Sequence, residues 1–237
     1  ETSARLLAND GTGVFGDISN QAGLATNDSA HQAFFTDFDN DRDIDFLMLS
    51  KESMQLYTNN RDGTFSNIAT PLGLGAISPI AICVEDFNQD SYMDLCSLSA
   101  TGSLTLHTNE KGKKFTARPM DIALPVPLHG MRPADFDNDG DMDLLVFGAG
   151  GIHPLVWHRD QFHLQDQVLQ SETGTRQMVI ADFDINGTPD IWADGQHWRN
   201  ETTAGNWIAI AVQGLNSNRD GIGTKVEVKT TNRRQKK

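Results

Sequence analysis

Short apolar runs alternate along the chain with acidic and turn-forming stretches, and this order occurs four times. One set of runs reads FLMLS at 46–50, LCSLS at 95–99, LLVFG at 144–148 and IWADG at 191–195. The first three are nearly continuous, which predicts inner strands that pack on both faces. MQLYT at 54–58 and LTLHT at 104–108 instead alternate apolar and polar residues, which predicts outer, half-exposed strands. The pattern therefore predicts an all-β protein.

An acidic motif precedes each run of the first set. Its copies read TDFDNDRDIDFLM from residue 36, EDFNQDSYMDLCS from 85, ADFDNDGDMDLLV from 134 and ADFDINGTPDIWA from 181. The leading aspartates are separated by 49, 49 and 47 residues. A near-constant period of this size indicates a repeat architecture, with one supersecondary unit in each repeat.

Every copy places oxygen-bearing side chains at loop positions 1, 3, 5 and 9. They are Asp37, Asp39, Asp41 and Asp45; Asp86, Asn88, Asp90 and Asp94; Asp135, Asp137, Asp139 and Asp143; Asp182, Asp184, Asn186 and Asp190. Position 7 holds Asp43, Tyr92, Asp141 or Thr188, a variety that a backbone carbonyl ligand permits. Clustered carboxylates repel one another, and a cation that takes about six to eight oxygen ligands removes that repulsion. The sequence therefore predicts three to four bound Ca²⁺ ions.

Acidic loops also occur as surface turns and in EF-hands. Acidic surface turns would explain one such loop, since Asp, Asn and Gly favour turns, but not four loops in register. An EF-hand requires a bidentate Glu at position 12 between two helices. Position 12 here is Met48, Ser97, Val146 or Ala193, and the flanking sequences are typical of strands.

Position 6 and the number of carboxylates rank the four loops. Gly140 and Gly187 can adopt the positive φ that a tight loop favours, whereas Arg42 and Ser91 must accept strain or a different turn. Carboxylates at positions 1, 3, 5 and 9 number four, three, four and three along the chain. We expect the loop at 135–143 to bind calcium most tightly and the loop at 86–94 least tightly.

The repeated Asp-x-Asp/Asn-x-Asp/Asn-x-x-x-Asp pattern between strands resembles the FG-GAP/VCBS repeats of integrin-α-like β-propellers over about residues 5–200. The resemblance implies blades of four antiparallel strands, with Ca²⁺ in a strand-to-strand loop, and a scaffold used for adhesion and ligand binding. About four blades are expected. Either the strand at 6–9 completes the last sheet and closes a four-bladed ring, or the repeats form part of a larger propeller.

From about residue 206 the pattern changes, and we predict two domains, 1–200 and 201–237. The second resembles the start of the ASPIC/UnbV segment that follows FG-GAP repeats in cartilage acidic protein-like proteins. The matching residues are Asn206, Trp207, Gly214, Ser217, Asn218, Arg219, Gly221, Ile222 and Gly223, followed by a strand over 224–228. NWIAIAVQG at 206–214 alternates well enough to predict a further strand, and the chain ends in the basic sequence NRRQKK.

Net charge narrows the choice of partners. The formal charge is −13, and 16 of the 32 acidic residues are aspartates inside the four loops. This charge argues against nucleic acid and against anionic membrane surfaces, and no apolar run is long enough to span a membrane. Four bound Ca²⁺ ions would bring the charge to about −5, an ordinary value for a soluble domain. Calcium loops of this kind suit a secreted or cell-surface protein, extracellular or periplasmic.

Three functions fit this sequence. The first is a non-catalytic extracellular module that binds a protein or glycan ligand, with structural Ca²⁺ in each blade. The second is a propeller-type polysaccharide lyase or hydrolase, which the negative charge disfavours for acidic substrates. The third is a lectin for neutral glycans that uses aromatics such as Trp157, Trp198 or Tyr57. No catalytic constellation stands out, so we expect the first.

The two cysteines, Cys83 and Cys96, flank the second acidic loop. If Asp86 faces Asp94 across a hairpin, the cysteines come nearly opposite each other. Both a cross-strand disulfide and two buried free thiols remain open from the sequence.

Overall fold

The computed structural model describes residues 4–24, 30–50, 53–75, 77–171, 174–202, 207–215, 219–221, 224, 226–229 and 234–236. In these ranges every regular element is a β-strand. The same ranges contain no helix with the length and hydropathy needed to cross a membrane.

Six antiparallel sheets follow one another along the chain. A hairpin pairs β1 (Leu7–Asn9) with β2 (Phe15–Asp17). Sheet 1 contains β3 (Ala30–Thr36), β4 (Asp45–Ser50), β5 (Met54–Asn59) and β6 (Phe65–Asn67). Sheet 2 contains β7 (Ala81–Glu85), β8 (Asp94–Leu98), β9 (Leu104–Asn109) and β10 (Phe115–Pro119). Sheet 3 contains β11 (Leu128–Ala134), β12 (Asp143–Gly148), β13 (Gly151–His158) and β14 (Gln161–Leu164). Sheet 4 has three strands, β15 (Met178–Ala181), β16 (Asp190–Ala193) and β17 (Gln196–Trp198). A last hairpin pairs β18 (Glu227–Lys229) with β19 (Arg234–Lys236).

In sheets 1 to 4 the strands pair in chain order, and each acidic loop joins the first strand to the second. The register places loop position 9 opposite the residue just before position 1, as in Glu85 opposite Asp94 and Ala134 opposite Asp143. The two ends of each loop are therefore held side by side by the sheet. Strands border all four loops, which confirms the rejection of an EF-hand.

Neighbouring sheets pack face to face through apolar side chains. One buried cluster joins sheets 1 and 2, a second joins sheets 2 and 3, and a third joins sheets 3 and 4. The first strands of sheets 2 and 3, β7 and β11, lie beside each other. These sheets are blades of a β-propeller, and the predicted four strands per repeat are confirmed for sheets 1 to 3.

Burial follows the predicted pattern for the second strands but not for the third. The residues of β4, β8 and β12 are buried along the whole strand, which confirms packing on both faces. The prediction of half-exposed outer strands at 54–58 and 104–108 is wrong, because β5 and β9 are the third of four strands and none of their residues is exposed. A fourth strand covers the edge of each of them, and these fourth strands, β6, β10 and β14, carry the exposed residues.

The N-terminal strand does not complete the last sheet. β1 pairs with β2, and the hairpin that they form lies next to sheet 1, where the backbone N–H of Phe65 donates to the carbonyl of Ala22. The carbonyl of Leu72 accepts from the N–H of Phe115 in the same way between sheets 1 and 2. The hairpin thus occupies the place of the outer two strands of a blade that precedes sheet 1. Closure of a four-bladed ring by residues 6–9 is not the arrangement found.

The predicted strand at 206–214 is not present in its described part, since 207–215 has no strand pairing. Trp207 lies against the backbone of Gly187, and Leu215 is 92% exposed. The strand predicted over 224–228 is found at β18, displaced toward the C-terminus. Of the ASPIC/UnbV-like residues, Asn206, Ser217, Asn218, Ile222 and Gly223 lie outside the described residues, and that resemblance stays a prediction.

Candidate metal centres

The side chain at position 9 anchors each loop to its sheet. Asp45, Asp143 and Asp190 accept a hydrogen bond from the backbone N–H of the loop phenylalanine at position 2, at 2.9–3.2 Å. Their other oxygen accepts from a backbone N–H of the third strand or just after it, at 2.7–2.9 Å. Asp94 accepts only the second of these bonds, from Asn109 at 2.8 Å, and its Oδ2 atom is buried without a hydrogen-bond partner.

The carboxylate at position 1 folds the loop around itself. In all four loops it accepts from the backbone N–H groups of positions 5 and 6, at 2.7–3.1 Å. The side chain at position 5 accepts from the N–H of position 7, for example Asp90 from Tyr92 at 2.9 Å and Asp139 from Asp141 at 2.8 Å. The backbone therefore holds the acidic side chains in one concave arrangement in every repeat.

Two positions of each loop have left-handed backbone. Position 6 has φ of 78° at Arg42, 79° at Ser91, 92° at Gly140 and 91° at Gly187. Arg42 and Ser91 therefore accept the strain and do not form another turn. Position 4 also has positive φ, between 56° and 61°, at Asn40, Gln89, Asn138 and Ile185. The sequence analysis did not identify position 4.

The structure brings carboxylates together in three loops. Ligand atoms of three side chains lie within 4.8 Å of one another in each of these groups: Asp37, Asp39 and Asp41; Asp135, Asp137 and Asp143; Asp182, Asp184 and Asp190. The second loop has three carboxylates and Asn88, and its described residues form no such three-carboxylate group. Asp45 does not join the group of the first loop. The calcium-binding order of the loops stays a prediction, as does the carbonyl ligand at position 7.

Burial and mutual repulsion raise the pKa of several of these carboxyls. Burial raises the pKa of Asp94 and that of Asp143 to about 7. Burial is also the main cause of the raised pKa of Asp86 and Asp135. At Asp190 burial acts in the same direction, but hydrogen bonds from Asn200, Phe183 and His197 outweigh it and lower the pKa.

Basic side chains lie beside two of the loops. Arg61 pairs with Asp43 and lies 3.3 Å from Asp41, and Arg199 pairs with Asp184. All three pairs have partly exposed members, so each contributes little to stability.

The donor set fits a calcium ion. It consists only of oxygen atoms, which a hard cation prefers, and it contains neither thiolate nor imidazole ligands. The unpartnered Oδ2 of Asp94 is an acceptor buried at a cost that a bound cation would remove. Each of the four loops has a net negative charge, and its carboxylates are oriented in the same way as those of the other loops. A divalent cation neutralises such a cluster better than an exposed arginine does.

Asparagine side chains tie two of the four loops, the second and the fourth, to the preceding blade. The amide of Asn109 donates to the carbonyl of Phe38 in the previous loop at 2.8 Å, and to Met93 in its own loop at 3.0 Å. Asn200 donates likewise to Phe136 at 2.8 Å and to Pro189 at 3.2 Å. The sequence analysis missed this role, although Asn recurs in YTN, HTN and WRN at 57–59, 107–109 and 198–200.

The aromatics proposed as a lectin surface do not form one. Tyr57 is 2% exposed and Trp157 is 5% exposed, and Trp198 packs against the cluster between sheets 3 and 4. Tyr57 and Trp157 are core residues on third strands that are mostly buried, and Trp198 is partly buried. Exposed aromatics are found instead on sheet 4, where Phe183 and Trp192 surround His197.

Three further features of the described residues involve polar or reactive side chains. The Oγ of Ser97 lies 2.8 Å from Nε2 of His107, but both are buried and Nδ1 of His107 has no hydrogen-bond partner to orient the ring. A cavity of about 380 Å³ between the first strands β3, β7 and β11 is lined by Gln32, Glu85 and Arg132 among others. Cys83 and Cys96 are directly opposite in β7 and β8, as the sequence indicated, and both are free thiols.

Comparisons with known proteins agree with this architecture. Cartilage acidic protein 1 of Xenopus tropicalis is 28% identical over 95 residues, which cover 38% of this chain and 15% of that protein. The chain thus spans about one seventh of the length of this relative. A lectin of Agrocybe aegerita that recognises non-reducing terminal N-acetylglucosamine has a similar structure, with a TM-score of 0.52 and 20% identity, over 83% of this chain and 60% of that one. The V. cholerae biofilm matrix protein Bap1 gives a TM-score of 0.49 and 15% identity, over 73% and 30% of the two chains.

The family model of the FG-GAP-like repeat matches three overlapping stretches, residues 37–97, 86–146 and 135–193. Each match begins at a leading loop aspartate and ends in the second strand of the next sheet. Together they cover more than half of the chain, which therefore belongs to the FG-GAP-like repeat family.

Proposed function

We propose that the chain is a non-catalytic, calcium-stabilised propeller module that binds a protein or glycan ligand outside the cell. The observation that supports this most directly is the fourfold recurrence of one loop frame, in which the same backbone N–H groups orient the same carboxylates. The acidic side chains of these loops repel one another, which opposes the folded arrangement. A bound cation removes that repulsion by neutralising the carboxylates.

The chain's own residues prepare the site. The carboxylates at positions 1 and 9 are held by backbone hydrogen bonds, so these two ligands need little ordering when an ion binds. The buried Asp94 and Asp143 must lose their protons near neutral pH, since their pKa values are about 7 without a cation. Binding is then linked to folding, because an ion that binds only the folded chain stabilises it. Low-millimolar extracellular calcium would suffice for sites of the affinity found in extracellular modules.

A binding role agrees with what the described residues offer. The groups of three carboxylates among the described residues all lie in the loops, and the buried Ser97–His107 pair lacks an orienting acid. A solved structure that matches with a TM-score of 0.52 is a lectin, so recognition of a glycan is the second candidate function. The observation that favours it is the exposed group of Phe183, Trp192 and His197, with ring centroids 5.6–6.5 Å apart, beside the fourth loop.

Calcium removal tests the proposal. Thermal unfolding should be followed with CaCl₂ at about 2 mM, which is near the extracellular level, and with excess chelator. Bound metal should be counted by native mass spectrometry. We expect three to four ions and a melting temperature that is higher by about 10 °C or more with calcium. MgCl₂ at equal concentration is the control, since Mg²⁺ suits a flexible oxygen cage poorly. Equal melting temperatures with calcium and chelator would reject a calcium role.

A glycan array probed with the calcium-loaded protein tests the second candidate. Specific binding that is lost in Trp192→Ala would support glycan recognition through sheet 4. Binding that persists in this variant would place the ligand elsewhere. The polysaccharide lyase or hydrolase alternative would be favoured only by release of products from a polysaccharide substrate.

A further inference from the structure

Side chains at position 4 connect one loop to the next. The amide Nδ2 of Asn40, in the first loop, donates to the carbonyl of Ser91 in the second loop at 2.7 Å. The amide Nε2 of Gln89, in the second loop, donates to the carbonyl of Gly140 at 3.1 Å and to Oδ1 of Asp141 at 2.8 Å in the third loop. The same contact therefore occurs between two successive pairs of blades.

Each contact joins two segments that hold expected ligands. Gln89 stands between Asn88 and Asp90, at positions 3 and 5 of its own loop. The peptide group that it holds links positions 6 and 7 of the next loop, and the N–H of that peptide donates to the carboxylate of Asp139. The carbonyl of position 7 is the ligand expected from the backbone. The side-chain amide of Gln89 thus holds the carbonyl of this peptide group, while the N–H of the same peptide group donates to Asp139, an expected cation ligand.

The residue types at position 4 agree with this link between successive loops. Asn40, Gln89 and Asn138 precede another loop and carry amide donors, whereas Ile185 belongs to the last loop and carries only hydrocarbon. All four have left-handed backbone, a conformation that is unfavourable for Ile. Ile185 is also 76% exposed. The amides of Asn40 and Gln89 each donate to the loop that follows in the chain.

We propose that Asn40 and Gln89 are positioning residues that couple neighbouring loops, so that cation binding in one loop raises the affinity of the next. This inference rests on the calcium binding proposed above. A cation that orders positions 5 and 7 of the third loop also orders the peptide between them. Gln89 and the adjacent ligands of the second loop then lose less freedom when their own cation binds. The free energy needed to order the linked segments is then spent mostly when the first cation binds, and less is needed for the second. The effect is reciprocal between the two loops.

A double-mutant cycle on the full chain tests the coupling. Backbone amide resonances of Arg42, Ser91, Gly140 and Gly187, one in each loop, report the filling of each site during a calcium titration followed by NMR. Asp137→Asn weakens the third site, and Gln89→Met removes the linking amide while the side chain keeps its length. Ile185→Met is the matched control, because it places the same side chain at position 4 of a loop with no link.

We expect Asp137→Asn to raise the calcium midpoint of the second loop by about 5-fold when Gln89 is present. In the Gln89→Met background the same change should be less than about 2-fold, and Ile185→Met should leave the 5-fold effect unchanged. Equal effects with and without Gln89 would overturn the coupling while leaving calcium binding intact. If no loop resonance responded to calcium, the proposed function itself would fail, and the two failures are thus distinguishable.

Discussion

Sheets 2 and 4 are built on the same repeat but differ in what covers them. Toward the preceding blade they make the same contact, since Asn109 and Asn200 each donate to the carbonyl of a loop phenylalanine there. Toward the following blade they differ. Phe87 of sheet 2 is 2% exposed and packs on Phe162, whereas Phe183 of sheet 4 is 47% exposed. Whether the loop phenylalanine is buried thus depends on the blade that follows it, and not on the repeat that contains it.

The largest effect should come from removing the covered phenylalanine. Phe87→Ala deletes a ring that contacts both Trp157 and Phe162, and we expect it to lower the free energy of unfolding by about 3–5 kcal/mol. Phe183→Ala at the equivalent place in sheet 4 should cost about 1 kcal/mol or less, since half of its ring already contacts solvent. Urea unfolding of both variants with saturating calcium measures the difference. Equal losses would show that Phe183 is covered in solution.

The contacts toward the preceding blade should give a smaller and more even effect. Asn109→Ala and Asn200→Ala each leave two backbone carbonyls without their amide donor, and we expect a loss of about 2 kcal/mol from each. Asn59→Ala is the matched control, because Asn59 donates only to Ile44 of its own loop, at 3.3 Å. A loss of about 1 kcal/mol or less is expected there. If Asn200→Ala cost no more than Asn59→Ala, the tie between sheets 3 and 4 would contribute nothing in solution.

A buried histidine makes sheet 2 sensitive to pH. His107 lies where sheet 4 has Trp198 and sheet 3 has Leu155, and burial lowers its pKa from 6.5 to about 4. Between these values the unfolded chain binds a proton that the folded chain does not. Protonation of His107 therefore does not affect the free energy of unfolding above pH 6.5. As the pH falls toward 4, it lowers the free energy of unfolding by up to about 3 kcal/mol.

His107→Leu, which copies sheet 3, should remove this dependence. The difference in unfolding free energy between wild type and variant should shift by up to about 3 kcal/mol between pH 7 and pH 4. Both proteins should be measured by urea unfolding at each pH with the same calcium concentration, so that titration of the loop carboxylates affects them equally. A difference that stays constant with pH would mean that His107 is protonated as easily in the folded chain as in the unfolded one.

The features that the sequence predicted are those encoded within one repeat. Continuous apolar runs predicted the buried second strands, and the acidic spacing predicted the loops. Features that arise between repeats were missed. The alternation of MQLYT at 54–58 resembles that of an outer strand, yet a fourth strand and a neighbouring sheet cover β5. The bond from Asn40 to Ser91 joins residues 51 apart, and no local pattern marks it.

The smallest expected effect concerns the backbone at position 6, where sheet 2 has Ser91 and sheet 4 has Gly187. Ser91 has φ of 79°, a conformation that is strained for any residue with a Cβ atom. We expect Ser91→Gly to raise the free energy of unfolding by about 0.5 kcal/mol, since release of this strain exceeds the added freedom of glycine in the unfolded chain. Urea unfolding with calcium measures it. Gly187→Ser is the reverse exchange and should cost more than Ser91→Gly gains, because a Cβ atom there would lie 2.0 Å from the ring of Trp207. A stability loss in Ser91→Gly would show that the serine side chain stabilises the second loop by more than its backbone strain costs.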